Sequence, residues 1–237
     1  MSFLRPLSQC SAECSRTAVA RGFSSALASR LVRPIGSPDP SVLEGDFALY
    51  PGLFDLGESR ELLSGALWKL DRVDPIRKRR RRNVLTPSDR PGPLQDIFHG
   101  EYGFQEGHYD SVIHDYRETT ISSLPPSTSH PNLPRLLNRA FALLPGSPQI
   151  DQEVLPPSTI THLLHLAPSG RILGHVDNLE ASGSVIMGVC LGADRILRLS
   201  RKTGAGVEGW DVLLQNGTAY LQKCAADRDE TLMAGIS

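Results

Sequence analysis

Two periods of apolar residues divide the chain. "FALYPGLFDLGESRELLSGALWKLDRV", Phe47 to Val73, reads as a short strand, a turn and a helix. Leu62, Leu63, Ala66, Leu67 and Leu70 recur at helical spacing, and Glu58 and Glu61 suit the positive start of that helix. A second helix is predicted in "HPNLPRLLNRAFALLPGSP", where Leu133, Leu136, Leu137, Ala140, Phe141 and Leu144 form one stripe stopped by Pro145 and Gly146. After "LPPS" the period shortens to that of strands. "STITHLLHLAP", "SVIMGVCLG", "RILRLSRK" and "WDVLLQNGTAYLQK" are short, rich in branched residues and separated by Gly, Asp or Asn. Helices followed by antiparallel strands predict an α+β domain whose second half is a small β-sandwich or barrel. No internal repeat is visible.

Two stretches between these elements are polar. "RKRRRR", Arg77 to Arg82, reads as a solvated end of the first helix, where cations suit the negative pole, more readily than as a grip on phosphates. Residues 83–107 are rich in Pro and Gly and read as a loop inserted into the domain.

Composition narrows the class. With 237 residues, 40% hydrophobic and 22% charged, the chain can bury one sizeable core. A net charge of −1 gives no general pull toward nucleic acid or anionic membranes. No apolar run approaches the roughly 20 residues that span a bilayer. Cys10, Cys14, Cys190 and Cys224 suggest no disulfide framework and a reducing compartment. Residues 1–40 stand apart: Arg5, Arg16, Arg21, Arg30 and Arg33 lie among serine and alanine, with Glu13 the one acid before Pro38. That is the composition of a disordered mitochondrial targeting segment, and "RGFSS" is similar to a matrix-protease site. The expected destination is the mitochondrial matrix.

The candidate chemistry sits in "GHVDN", which by itself also reads as a His and an Asp in a turn after a strand. At a strand end, residues i and i+2 project from one face, so His175 and Asp177 would point together while Val176 turns toward the core. An imidazole and a carboxylate are two corners of a 2-His-1-carboxylate Fe(II) site. No histidine follows His175. His162 and His165, three apart on the preceding strand, face opposite sides, and Asp227 and Glu230 have no positional support as replacements. His114 reads as structural.

"ALYPGLFDLGESRELL", "HYDSVIHDYRET", "ITHLLHLAPSGRILGHVDNLEASGSVIMGVCLG" and "NGTAYLQK" together resemble the AlkB-like dioxygenases, in their mitochondrial branch, from Phe47 to Lys223. The resemblance implies a double-stranded β-helix, jelly-roll or cupin-like, with flanking N-terminal helices in a domain over 41–223. It implies Fe(II) on His175 and Asp177, and Tyr220 bonded to the cosubstrate 2-oxoglutarate, with O2 as co-reactant. No catalytic residue beyond the metal site is implied. The implied reaction is oxidative hydroxylation or demethylation, with roles in fatty-acid metabolism and regulated necrosis. Aromatics at 6%, without aromatic–basic interleaving near the site, favour a protein over a nucleic-acid substrate. The expected state is a monomer. Residues 224–237, "CAADRDETLMAGIS", depart from the family, which continues into a strand bearing the second iron histidine and another bearing arginines for 2-oxoglutarate. Those C-terminal strands are expected to be missing and catalysis impaired. The alternative is a non-catalytic mitochondrial binding or regulatory protein.

Overall fold

Two antiparallel sheets pack face to face in the computed structural model, which describes residues 30–73, 82–85, 94–98, 102–108, 110–151, 153–177, 183–204, 206–223 and 232–237. The larger sheet orders its strands β1 (Val32–Ile35), β9 (Gly206–Leu214), β8 (Arg195–Thr203), β11 (Met233–Ile236), β6 (Thr161–His175), β5 (Ile113–Ile121), β4 (Tyr102–Gly107) and β3 (Arg82–Leu85). The smaller holds β2 (Phe47–Tyr50), β10 (Ala219–Lys223) and β7 (Val185–Val189) in that order. Alternation along the strands sets the facing. Leu197 and Leu199 on β8 and Val212 and Leu214 on β9 are buried against Leu49 of β2, whereas Arg198 and Asp211 pair on the outer face at 2.7 and 2.8 Å. Each fully buried side chain there contributes about 1.5–3 kcal/mol. The α+β fold with opposed sheets is therefore the one expected.

The helices pack at two places: Pro40–Asp46 beside β2 and β10, and the two longer helices together in a separate core beside β5 and β7. Helix α1 (Pro40–Asp46) starts at Asp39, whose carboxylate accepts from the Ser41 amide. Helix α2 (Leu56–Val73) begins with a reciprocal cap: the Glu58 amide donates to Asp55 and the Asp55 amide to Glu58. Glu58 also accepts from Arg139 of helix α3 (Leu133–Phe141), tying the two helices together. Leu62 of α2 and Leu133, Leu136, Ala140 and Phe141 of α3 share one core with Phe54, onto which Met187 and Val189 of β7 pack.

Four expectations change. The targeting composition extends to residue 40, yet Leu31 is buried and Val32–Ile35 pairs with β9. Pro34 is tolerated because β1 is an edge strand. Residues 1–29 lie outside the described residues. The stretch 83–107, read as a loop, contributes β3, a 3-10 turn at Gln95–Ile97 and β4. Tyr102 and Phe104 are both buried, a period of two hidden among Gly and Pro. Most of the basic run, residues 77–81, lies outside the described residues, and Arg82 begins β3 rather than ending a helix. Finally, one strand does follow Lys223: β11 runs between β6 and β8, hydrogen-bonded to both. Its four residues are too few to show a period, and their placement depends on partners distant in sequence. Asp227, Arg228 and Glu230 lie outside the described residues.

Candidate functional site

The long strand β6 delivers the candidate ligands. It continues beyond Pro168, where sequence reading ends the strand, through a register shift against β5 between His114 and Tyr116. Ser169 donates to the Asp115 carboxylate across this irregularity, 3.1 Å. His175 is the last residue of β6, and its Nε2 lies 3.5 Å from Asp177 Oδ1. The two side chains therefore converge. Val176 does not turn toward the core: it is 52% exposed and lies just beyond the end of β6.

The imidazole is oriented by its other nitrogen, with Nδ1 3.0 Å from the Leu173 carbonyl. With the proton on Nδ1, Nε2 is left facing Asp177, the arrangement in which a metal-binding histidine is normally held. Without a metal, the Asp177 carboxylate, against the opposing effect of burial, holds the His175 pKa above the ordinary value, helped by the Leu173 and Ala234 carbonyls.

Beside this pair lies a cavity of about 900 Å³ between the sheets, lined among others by His175, Asp177, Tyr220, Ala234, Gln222 and Arg195. Tyr220 of β10 stacks on Phe47 with ring centroids 5.8 Å apart. It passes so close to Gly188 of β7 that a Cβ there would meet the ring at 2.3 Å, so only glycine admits it. Burial, and then the charge of Asp177, push the phenol up to about 12, leaving Tyr220 a neutral hydroxyl. Arg195 went unnoticed in the sequence. Its guanidinium donates to the Gly170 and Ala167 carbonyls at 3.1 and 2.8 Å, bracing β8 against β6 at the far end of the cavity. Cys190 is no thiolate: burial pushes its thiol up to about 11, and it points at the Ala193 and Leu214 carbonyls.

His162 and His165 also line the cavity but are engaged elsewhere. His162 lies 2.9 Å from Glu118, and His114 contacts the Ser111 carbonyl at 2.9 Å. His165 sits with its ring centroid 5.0–5.5 Å from those of Phe104, Tyr102 and Phe98 and accepts from Arg117 Nε at 2.9 Å. Burial, then Arg117 and Arg195, lower its pKa to about 3. The folded value lies below the unfolded one of about 6.5, so this stability is complete above pH 6.5 and drains away as pH falls toward 3. Urea unfolding at pH 7, 6 and 5 should show a loss of up to about 1.4 kcal/mol per pH unit that His165→Asn lacks. Equal pH slopes in the two proteins would refute this.

Among the described residues, no group of three His, Cys, Asp or Glu side chains could hold a metal ion. His175 and Asp177 are two donors, one short of a facial triad.

Over about half of its length the chain is similar in sequence to curated proteins named as AlkB-like dioxygenases. It is 31% identical over 126 residues to the mitochondrial alpha-ketoglutarate-dependent dioxygenase alkB homolog 7 of Bos taurus, covering 53% of this chain and 52% of that protein. The Mus musculus protein of the same name is 33% identical over 127 residues, with the same shares. The chain thus spans about half the length of the curated relatives it matches. No family model matches it. The solved structure of OsALKBH1 superposes with a TM-score of 0.41 and 13% identity over 81% of this chain and 85% of that one, too loosely to define a site.

Proposed function

We propose that this chain is a mitochondrial Fe(II)- and 2-oxoglutarate-dependent dioxygenase of the AlkB-like family, impaired in catalysis in this form. The observation that carries the reading is the convergence of His175 and Asp177 at the rim of a cavity shared with Tyr220. His175 and Asp177 supply two protein donors, and Tyr220 offers a neutral hydroxyl to a carboxylate of 2-oxoglutarate. Two donors among the described residues do not make the three-residue centre that such chemistry uses, and the proposed impairment rests on that. The relatives named mitochondrial, together with the arginine-bearing, acid-poor residues 1–29, support the mitochondrion, and the presequence-like composition supports the matrix. Hydroxylation or demethylation of a protein by a monomeric chain is the proposed activity, with the metabolic and necrosis roles of the family following from it. No helix among the described residues is long and apolar enough to cross a membrane.

The test is succinate formation from 2-oxoglutarate by the full chain supplied with Fe(II) and O2. Slow turnover that His175→Ala or Asp177→Ala abolishes is expected. Neither binding nor turnover of 2-oxoglutarate, or turnover indifferent to both substitutions, would overturn the reading.

A further inference from the structure

The end of the cavity away from His175 holds a cation with no carboxylate partner among the described residues. Arg195 of β8 is half-buried there, and burying a charge costs free energy unless it is paired. Two of its N–H groups donate to the Gly170 and Ala167 carbonyls. A guanidinium carries five, and the other three find no acceptor among the described residues. Asp194, next in the chain, accepts instead from the Asn216 amide at 3.2 Å. Burial holds the Arg195 pKa below its ordinary value, the lost hydration outweighing the attractions around it.

A second donor lines the same space. Because a guanidinium only donates, the 2.9 Å bond from Arg117 Nε makes His165 Nδ1 the acceptor and puts the ring proton on Nε2. That N–H has no nitrogen or oxygen partner among the described residues. With a pKa of about 3 the ring stays neutral and keeps this donor at pH 7, and Arg195 is near enough to be one of the charges that lower it. Leu63 and Leu67 of α2, with Leu94, Phe98 and Leu191, form one apolar wall beside the two donors. Phe98 spans them: its ring centroid lies 5.5 Å from that of His165, and its ring edge 3.6 Å from where a Cβ on Gly192, in the turn before Arg195, would stand.

A guanidinium with spare donors, a neutral imidazole N–H and an apolar wall suit one ligand chemistry. We infer that this end of the cavity binds an organic monocarboxylate with an apolar body, the carboxylate held by Arg195 and His165 and the body by Leu63, Leu67 and Phe98. Charge-assisted bonds to the carboxylate supply the counterion that Arg195 lacks. The second charge of a phosphate suits the place less, because the Asp194 carboxylate lines it too. The site is separate from the one proposed for 2-oxoglutarate: Arg195 reaches β6 at Gly170, and the strand from there to His175 runs on the order of 15 Å. It goes beyond the dioxygenase reading and stands without it.

The full chain is titrated at pH 7 with cyclohexanecarboxylate, followed by ligand-detected NMR. Two controls run beside it: cyclohexanecarboxamide keeps the shape without the charge, and acetate keeps the charge without the body. The acid should bind roughly tenfold more tightly than the amide, the margin of a charge-assisted over a neutral hydrogen bond, and at least about tenfold more tightly than acetate. Arg195→Gln should erase the preference for acid over amide. Should that variant fail to fold, the ranking of the three probes by the unaltered chain decides the matter. His175→Ala and Asp177→Ala should leave the affinity for the acid unchanged, and an absence of succinate formation would not touch this result. Equal binding of acid and amide, no binding of the acid, or a preference that survives Arg195→Gln and vanishes in His175→Ala would overturn the inference.

Discussion

Replacing Arg117 with alanine should destabilise the protein by about 3 kcal/mol, at the lower end of the cost of breaking a buried ion pair. Arg117 lies on β5 and is only 5% exposed. Its Nη1 donates to Asp71 at the end of α2, 2.5 Å, its Nε donates to His165 on β6, and its guanidinium lies 4.2 Å from the Tyr102 ring centre. One side chain thus links α2, β4, β5 and β6. The cost falls at the low end because Asp71 is half exposed and regains water when its partner is removed. Lysine should not rescue the loss, since one ammonium cannot reproduce the planar fork that reaches Asp71 and His165 together. Urea denaturation reads the change as a lower midpoint with an unchanged slope. A shift below about 1 kcal/mol would show that the network adds little to the fold.

Gly217→Ala should be comparably severe, lowering the midpoint of thermal unfolding by roughly 6–12 °C for a loss of about 3 kcal/mol in a chain of this size. Gly217 occupies the turn between β9 and β10 with φ of +78°, a left-handed conformation that costs other residues about 1–2 kcal/mol. The larger effect is steric. A Cβ there would come within 2.1 Å of the Phe54 carbonyl oxygen, a backbone atom without a flexible end to move aside. Gly217 also accepts from the Phe54 amide at 3.0 Å and donates to the Cys190 carbonyl at 2.9 Å, joining the turn to the segment before α2 and the end of β7. The strand that presents Tyr220 starts two residues later, so the 2-oxoglutarate affinity of the proposed site should weaken alongside stability. An unchanged melting temperature would refute the argument.

The sequence was most legible where each element declares itself. Leu62, Leu63, Leu67 and Leu70, and Leu133, Leu136, Ala140 and Phe141, repeat at helical spacing and fall on the buried faces of α2 and α3. β7, β8, β9 and β10 are rich in branched residues bounded by turn formers. β1, β3 and β11 were missed because each has four residues and takes its conformation from a neighbour: Val32–Ile35 from β9, Arg82–Leu85 from β4, Met233–Ile236 from β6 and β8. In the site, His175 and Asp177 approach each other as expected, but not through a strand's period of two, since β6 ends at His175 and Asp177 lies beyond it. Val176 defied the same period because the strand stops before it. The positions of Arg195, Arg117 and Ala234 could not be read, since each is defined by a contact with a segment far away in the chain.

An inner strand of four residues has a dynamic consequence. Without Met233–Ile236, β6 and β8 would each expose a bare edge, so native-state hydrogen exchange in this short segment reports on the whole central seam. Amides of β11 should trade protons with solvent only when the seam opens, whereas those on the outer side of β7, at the border of the smaller sheet, should do so far sooner. Anything that binds at His175 and quiets the seam would then register as a slower clock in β11 itself.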